Sequence, residues 1–311
     1  MNDPVPRVGV SRCLLGEAVR YDGDHRRQDW IVSELAAHAV LVAVCPETSA
    51  GLGVPREPVH LAWAPEDGPR VRGNDSGRDF TAALERGVML SLEHLGTGPV
   101  DGCLLKARSP SCGRAVEVAG SEAPAPGVFA AALEGAWPLA VTAEADALED
   151  PAAREAFCIR VFARARLRAL FSGAWTPGDL AAFHAREKML LLVHGRTGYA
   201  RLGRLVAEAG RWPREALAGA YTRRFMETLE STPTRGRYVD ALQHMAGHLR
   251  GRLDPLRRAR VRESIEDYRR GARPRPQVLA SLHALAGELD LVWVRDQTCL
   301  APCPPSLLAR D

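Results

Sequence analysis

The sequence predicts an α/β N-terminal domain with a mostly parallel sheet, followed by a mostly all-α domain. In the first half, short apolar runs alternate with segments of helical spacing and with loops rich in Gly and Pro. After residue 154 the pattern changes to long amphipathic helices. We therefore divide the chain into residues 1–150 and residues 151–311, with the boundary in the stretch rich in Ala and acidic residues, Ala140–Arg154.

Three apolar runs of the first domain predict buried strands, namely Val8–Val10, Ala39–Val44 and Gly102–Lys106. Each run leads directly into a loop that contains a cysteine. The spacing of apolar residues predicts helices over Trp30–His38 and Phe80–Leu95, so strands and helices alternate as in a parallel sheet. In such sheets, the loops beyond the carboxyl ends of the strands carry the chemistry. The three cysteine loops are therefore the first candidates for a site.

The second half shows helical spacing almost throughout. Thr176 precedes Pro177, which predicts an N-cap followed by proline in the first turn of a helix. A short run typical of a strand occurs only at Leu291–Val294. The predicted helices are Glu155–Phe171, Thr176–His194, Tyr199–Ala209, Pro213–Leu229, Arg235–Arg250 and Pro255–Arg270.

Composition indicates a soluble globular protein. Of the 311 residues, 46% are hydrophobic and 25% are charged. The first ten residues contain no apolar stretch of signal-peptide length, and the longest apolar run, Ala36–Cys45, is too short to cross a bilayer. We expect a cytoplasmic protein without membrane contact, and no obligate protein partner is evident.

Charge is distributed unevenly between the two halves. Residues 1–150 contain 13 Lys and Arg against 22 Asp and Glu, a net charge of −9. Residues 151–311 contain 28 basic and 16 acidic residues, a net charge of +12. A basic half joined to an acidic half is typical of a domain that meets a polyanion such as nucleic acid. A solvated, Arg-rich helical surface would give the same totals.

Seven cysteines occur, and none forms a CxxC pair. This spacing argues against a zinc ribbon or a thioredoxin-type dithiol. Cys13 lies in SRCLLG, Cys45 in CPE and Cys112 in RSPSCG, each at a predicted strand end. Three thiolates suit zinc with a fourth ligand, or a cubane cluster in which one iron lacks a protein ligand. From the residue types alone, Cys13 and Cys45 could equally be small buried residues.

The remaining cysteines have simpler interpretations. Cys103 lies in an apolar strand and Cys158 on the apolar face of a helix, so both are predicted to be core residues. Cys299 and Cys303 form a CxxxC pair, which could form a second metal site but has no convincing further ligands in the sequence.

The cysteine loops belong to three longer segments, Ser11–His25, Val44–Pro58 and Leu104–Gly113. Together these segments resemble the signatures of the thiouracil desulfidase family, in the same order and at the same spacing. The resemblance covers about residues 7–150. One departure is Asp24, which stands where glycine is common in the family.

The resemblance implies a [4Fe-4S] cluster with three cysteine ligands, Cys13, Cys45 and Cys112. The fourth iron then binds the sulfur of a thiolated base. The catalytic carboxylate of the family falls on Glu47 and its catalytic serine on Ser109. Such a reaction replaces C=S by C=O without net redox change, and a carboxylate near the cluster can act as base or proton shuttle.

Structural interpretations of these two residues stay open. Glu47 could pair with Arg56 or Arg108 in a salt bridge. Ser109 could stabilise the turn of the cluster loop through its hydroxyl group.

Residues from about 154 to 308 resemble a second family, of uncharacterised helical domains often fused to the first. Two-domain relatives of this kind act on 4-thiouridine in tRNA, whereas single-domain versions act on the free base. The resemblance thus implies a tRNA partner and a tRNA-binding role for the helical domain. The segments that carry it are Arg160–Phe171, Phe183–Glu208, Ala241–Arg250, Ile265–Pro274 and Gln297–Leu308.

Basic residues on the predicted helices are candidates for contact with RNA phosphates. Each one taken singly is also compatible with a solvated surface. The candidates are Arg164, Arg168, Arg186, Lys188, Arg201 and Arg204.

The sequence therefore predicts a tRNA 4-thiouridine desulfidase. One alternative is a desulfidase for small thiolated pyrimidines, such as free thiouracil or thionucleosides. Another is a non-catalytic metal protein that senses redox state while bound to RNA.

Overall fold

The structure, a computed structural model, describes residues 4–66 and 68–308. It confirms the predicted fold class, since strands and helices alternate in the first part and helices follow in the second. Two compact units divide between Ala165 and Arg166. The division falls inside a helix that starts at Pro151, directly after the predicted boundary at residue 150.

The elements of the first part run β1 (Arg7–Ser11), α1 (Asp29–Ser33), β2 (Val40–Val44), α2 (Pro46–Ser49), β3 (Val59–Ala64), β4 (Gly68–Gly73), α3 (Thr81–Leu95), β5 (Gly102–Leu105), β6 (Val118–Ala119), α4 (Val128–Ala136), β7 (Val141–Glu144) and α5 (Pro151–Phe171).

A parallel sheet with strand order β2-β1-β5-β7 forms the centre of the first unit. Strand β1 lies between β2 and β5, and its Val8 and Val10 are fully buried. The chain leaves β1 toward β2 on one side and returns to β5 on the other. At such a switch in strand order the loops diverge and leave a crevice at the carboxyl ends of the strands. The loops after β1, β2 and β5 meet at this edge.

A smaller sheet of order β4-β3-β6 was not predicted. Strands β3 and β4 form an antiparallel hairpin, and β6 pairs parallel to β3. Apart from Leu61, Val71 and Gly73, the hairpin residues are partly buried or exposed. The segment therefore lacks the continuous apolar run that marks a buried strand.

Helix α3 packs closely on the short helix α2, and Gly87 permits this approach. A β-carbon at Gly87 would lie 2.1 Å from the carbonyl oxygen of Pro46 and 2.7 Å from the Cβ of Ala50. Any larger residue would displace α2, which follows Cys45 directly. Gly87 therefore helps to fix the second cysteine loop.

The second part is helical: α6 (Pro177–Arg186), α7 (Lys188–His194), α8 (Arg196–Ala207), α9 (Arg214–Leu229), α10 (Arg235–Leu249), α11 (Pro255–Arg269), α12 (Arg275–Glu288) and α13 (Val292–Arg295). The predicted cap at Thr176 is confirmed, since its hydroxyl oxygen accepts from the backbone N–H of Asp179 and the Asp179 carboxylate accepts from the backbone of Thr176.

Two expectations for this part were wrong. The predicted helix Thr176–His194 is two helices, which break at the buried Glu187. The strand expected at Leu291–Val294 is instead the start of helix α13. Asp290 adopts a left-handed φ of 47° and ends the preceding segment, so the apolar run that follows forms a single helical turn. Helix α12 was not predicted.

No helix within residues 4–66 and 68–308 combines the length and the apolar character needed to cross a membrane.

Candidate functional site

Cys13 lies directly after β1, in a short 3-10 helix that covers Arg12–Leu15. Gly16 ends this turn with φ of 95°, a conformation that favours glycine. The carbonyl oxygen of Cys13 accepts from the backbone N–H of Gly16 at 3.3 Å and from that of Arg26 at 2.8 Å. These bonds fix the backbone that carries the first thiol.

Cys45 is the residue before α2, and its backbone caps that helix. Its carbonyl oxygen accepts from the Thr48 hydroxyl group at 3.1 Å and from the Ser49 N–H at 3.0 Å. Pro46 occupies the first helical position, where its missing N–H costs nothing. The side chains of Cys45 and Glu47 are thus presented from one rigid turn.

Cys112 lies in the tight loop that follows β5. The carbonyl oxygen of Ser109 accepts from the Gly113 N–H at 2.8 Å. Gly113 is required there because a β-carbon would lie 2.6 Å from Val116 and 2.9 Å from the Ser109 carbonyl oxygen. Arg108 adopts a left-handed φ of 56°, which is unusual for a residue with a side chain. The loop is therefore held in a strained path beside the third thiol.

The three cysteines line one cavity of about 420 Å³, together with Glu47 and Ser109. Cys13 and Cys112 are 8% and 6% exposed, so both residues are largely shielded from bulk solvent. Sequence reasoning thus named five residues that the fold brings to a single place, although they span 99 positions of the chain from Cys13 to Cys112. No structural observation assigns their roles, which stay predictions.

Burial and mutual charge act on the thiols. Burial, followed by the charge of Cys45, raises the pKa of Cys13 to about 11, while Lys106 lowers it. Burial also raises the pKa of Cys112 well above its usual range, and a hydrogen bond with Ser11 lowers it. Because cysteine binds metals as thiolate, a metal bound by these cysteines would displace their protons, and its binding would be favoured at higher pH.

Glu47 is held between two elements of the site. Its Oε2 accepts from Arg56, with the Nε donating at 2.9 Å, and its Oε1 accepts from the Ser111 hydroxyl group at 2.7 Å. Arg56 also donates to the carbonyl oxygens of Val19 at 3.0 Å and Gly53 at 2.9 Å. Of the two salt bridges considered for Glu47, the structure contains the one with Arg56.

Arg108, the other possible partner of Glu47, pairs instead with Asp146 at 3.3 Å. Lys106 also reaches Asp146, at 4.0 Å, and its Nζ donates to the Ala107 carbonyl oxygen at 2.7 Å. Both basic residues line the cavity.

Ser109 contributes to the turn of the cluster loop. Its hydroxyl oxygen accepts from the backbone N–H groups of Ser111 at 3.2 Å and Cys112 at 3.1 Å. These bonds correspond to the turn-stabilising interpretation of Ser109. They use the oxygen as an acceptor and leave the hydroxyl proton to be donated elsewhere.

Sequence reasoning did not identify Ser111 and Ser11. Ser111 is fully buried and connects Glu47 to the loop of Cys112. Ser11 is also buried, and its hydroxyl group contacts Cys112 and accepts from the Lys106 N–H at 3.1 Å. The only sequence signal was that each serine lies within a cysteine motif, Ser11 in SRCLLG and Ser111 in RSPSCG.

The donor set at this edge suits a soft metal centre larger than one ion. Within residues 4–66 and 68–308, no three His, Cys, Asp or Glu side chains are arranged around a single metal ion. A single zinc ion would need each of its ligand atoms to lie within about 2.3 Å of the ion. A multi-iron cluster is broader and places its cysteine ligands farther apart. The three cysteines that line one cavity of about 420 Å³ fit such a cluster by donor chemistry and by the size of the space.

The other cysteines are buried in the two units. Cys103 and Cys158 are core residues, as predicted, and burial raises the pKa of each to about 12. Cys299 and Cys303 are also buried, and burial raises the pKa of Cys299 to about 12. Among the residues with described positions, they do not belong to a group of three metal-binding side chains.

The residues predicted to contact RNA are dispersed along the helices. Arg164 and Arg168 are half-buried on α5. The guanidinium of Arg186 lies 5.5 Å from the ring centre of Phe183, and Lys188 Nζ lies 5.6 Å from that of Trp293. The remaining two, Arg201 and Arg204, are exposed on α8. Their contact with RNA stays a prediction.

Comparison with known proteins gives a family match for each part of the chain. Residues 8–145 match the 2-thiouracil desulfurase family. Residues 188–304 match a family of proteins of unknown function, DUF1722. The first match spans the three cysteine loops, and the second covers helices α7 to α13.

Two curated relatives correspond to the same two parts. The chain is 30% identical to the uncharacterized protein YbgA of Escherichia coli (strain K12) over 117 residues, which are 37% of this chain and 69% of that protein. It is 33% identical to the uncharacterized protein YbbK of Bacillus subtilis (strain 168) over 108 residues, which are 33% of this chain and 71% of that protein. A solved structure, described as the [4Fe-4S]-dependent thiouracil desulfidase TudS, is 32% identical, with a TM-score of 0.40, and the match covers 47% of this chain and 94% of that one.

Proposed function

Because the chain belongs to the 2-thiouracil desulfurase family in its first part and to the DUF1722 family in its second, we propose that it converts 4-thiouridine in tRNA to uridine with an iron–sulfur cluster. The observation that carries the proposal is the single cavity lined by Cys13, Cys45 and Cys112 beside Glu47. The reaction replaces C=S by C=O, consumes one water and releases hydrogen sulfide, so it needs no oxidant or reductant.

The three cysteines would hold the cluster as thiolates. When bound, a [4Fe-4S] cluster with three protein ligands supplies one iron to which the sulfur of the base can bind before it leaves as sulfide. The chain itself must bind the base, exclude bulk water and move protons. These tasks fall to the other side chains of the cavity.

Glu47 is the proposed base that takes a proton from the attacking water. Its carboxylate accepts three hydrogen bonds, two from Arg56 and one from Ser111, whereas a carboxylate offers about four acceptor positions. One position therefore remains for water. The charge-assisted hydrogen bonds with Arg56 hold the carboxylate in a fixed orientation. The salt bridge is thus compatible with a catalytic role.

Ser109 is proposed to donate its hydroxyl proton toward the substrate. Its oxygen is already fixed by two backbone N–H groups, so the direction of the hydroxyl is constrained. Tyr21 lies at the cavity and is 42% exposed, which suits stacking on a base taken out of the RNA stack.

Basic side chains line the cavity and could contact the phosphate of a nucleotide, and five of the six are paired with carboxylates. Six basic residues and one acidic residue, Glu47, occur among its described lining residues. A nucleotide carries phosphate next to the base, whereas a free base does not. The basic residues are Arg12, Arg20, Arg26, Arg56, Lys106 and Arg108.

Free thiouracil or a thionucleoside is the second candidate substrate. The volume of about 420 Å³ lies within the range of small-molecule sites, about 300–1,000 Å³. A small thiolated pyrimidine could therefore enter without any polynucleotide contact.

The test uses the full chain loaded with iron and sulfide under anaerobic conditions. Sulfide release is measured with tRNA that contains 4-thiouridine, and separately with 2-thiouracil and 4-thiouracil. Turnover of the tRNA supports the proposal, and turnover of the free bases alone would select the second candidate. A colourless protein that binds zinc but no iron would contradict both.

Two variants distinguish loss of the cluster from loss of the proposed catalytic base, Glu47. Cys112→Ala should lose iron and turnover together, whereas the matched control Cys103→Ala should keep both. Glu47→Gln should retain iron but lower turnover by about 10²–10⁴-fold, the usual contribution of a positioned base. Full activity of Glu47→Gln would show that another group takes the proton.

A further inference from the structure

A second cavity, of about 850 Å³, lies within the helical unit where the starts of α8 and α10 approach α9. Its described lining contains five arginines and one carboxylate, that of Glu227. All five arginines are exposed. They are Arg196, Arg201, Arg223, Arg224 and Arg237. The resulting positive potential is concentrated in a concave surface.

Most of this charge is not neutralised within the protein. Arg201, Arg223 and Arg224 have no carboxylate within 4.0 Å in the part of the chain that the structure describes. Arg196 pairs with Asp240 at 3.3 Å, in an exposed bridge that is easily exchanged. Exposed guanidinium groups without a carboxylate partner in one concave lining are available to bind an anion.

The packing of α8 against α9 fixes the position of the arginines. A β-carbon at Gly198 would lie 2.3 Å from the Oγ1 of Thr228, so only glycine allows this approach. The Thr228 hydroxyl group donates to the Arg224 carbonyl oxygen at 2.7 Å. Arg201 follows Gly198 by about one turn of α8, and Arg224 precedes Thr228 by about one turn of α9. Their guanidinium groups therefore project from a rigid junction.

The side of the cavity formed by the end of α7 and the start of α10 is also fixed by hydrogen bonds. Nη1 of Arg237 donates to the His194 carbonyl oxygen at 2.8 Å. His194 Nδ1 lies 2.7 Å from the carbonyl oxygen of Ser231. These bonds connect the end of α7 to the start of α10 on one side of the cavity.

We propose that this cavity binds a backbone phosphate of RNA. The proposal deepens the proposed function and rests on it, because it names the place where the helical domain holds its polynucleotide substrate. Guanidinium groups bind phosphate oxygens through paired N–H donors, and several of them can share one phosphodiester and its neighbours. The excess of four positive charges in the lining suits a ligand with repeated negative charges.

The test measures binding of unthiolated tRNA to the iron-loaded full chain at several salt concentrations. The variant Arg201→Gln/Arg224→Gln removes two cavity charges. The matched control Arg252→Gln/Arg260→Gln removes two exposed charges outside the cavity lining. Thermal melting checks that both variants fold, and turnover of free 4-thiouracil reports on the cluster cavity.

The cavity variant should bind tRNA at least about tenfold more weakly at low salt, and its slope of log affinity against log salt should fall by about 1.4, or 0.7 per lost phosphate contact. Its turnover of 4-thiouracil should equal that of the wild type. The control should change affinity about twofold or less. Equal weakening in the two variants would overturn the proposal.

Competitors identify the source of the negative charge. Unmodified RNA should displace the labelled tRNA. Displacement by inorganic phosphate or by polyglutamate at the same concentration of negative charge would overturn the assignment to an RNA phosphate. A protein that binds tRNA through the cavity but releases no sulfide from it would retain this inference and refute the proposed function.

Discussion

The buried ion pair between Arg166 and Glu187 gives a stability prediction with a defined size. The two side chains are 1% and 0% exposed, with Nε and Oε1 2.8 Å apart. Glu187 Oε2 also accepts from the Thr298 hydroxyl group at 2.7 Å, and Arg166 donates to the Pro302 carbonyl oxygen at 3.0 Å. The pair thereby connects the break between α6 and α7 to the segment that ends the chain.

Replacing Glu187 by Met removes the carboxylate but keeps a side chain of similar volume. Arg166 then loses this buried carboxylate partner, which costs about 3–5 kcal/mol. The double variant Arg166→Met/Glu187→Met has no such charge. It leaves the Thr298 hydroxyl and the Pro302 carbonyl without their partners, at about 1 kcal/mol each. The double variant should therefore lose about 2 kcal/mol and be more stable than the single one.

Urea unfolding at pH 7, followed by the helical circular dichroism signal, measures these differences. The control is Asp240→Met, which breaks the exposed pair with Arg196 and should change the free energy of unfolding by about 1 kcal/mol or less. A loss below about 1 kcal/mol in Glu187→Met, or a double variant less stable than the single one, would refute the reasoning.

Two further predictions concern the cluster site and the helical core. Gly87→Ala should push α2 away from α3, lower turnover at least about tenfold and destabilise the protein by about 1–3 kcal/mol. The control Gly135→Ala should leave turnover unchanged, because a β-carbon at Gly135 meets nothing within 4 Å. Sulfide release and urea unfolding measure both, and equal behaviour of the two variants would contradict the packing argument. Burial lowers the pKa of His184 to about 4, so the unfolded chain binds a proton at His184 between pH 6.5 and 4 that the folded chain does not. The free energy of unfolding should therefore fall as the pH drops through this range, by about 3 kcal/mol in total. Unfolding titrations at pH 7 and 4.5 should show that His184→Gln lacks this part of the loss. Identical pH dependence of the variant and the wild type would show that His184 does not contribute.

The central sheet and the meeting of the three cysteine loops could be predicted because buried parallel strands appear as continuous apolar runs. Val8–Val10 ends three residues before Cys13, and Ala39–Val44 ends directly before Cys45. The order of the strands is not encoded in such local patterns. That β1 lies between β2 and β5 follows from packing of the whole domain.

Features that depend on tertiary contacts were missed. Nothing in the local sequence marks Glu187 as a helix break, because glutamate favours helix and no Gly or Pro is nearby. Its role depends on Arg166 and Thr298, 21 and 111 positions away. Ser111 and Glu47 are 64 positions apart in the chain, so local sequence patterns could not predict their contact either.

The strand order has a consequence for how the active protein matures. Thiols from β1 and β2 are available early in synthesis, but the third thiol belongs to the loop after β5, which inserts beside β1 from the other side. On the proposed assignment, iron and sulfide can be delivered only after Cys112 has emerged and the sheet has closed. A bound cluster would then link three chain segments and hold the folded sheet against opening. Loss of iron under oxidising conditions should therefore abolish the proposed activity and also make the first domain more susceptible to proteolysis.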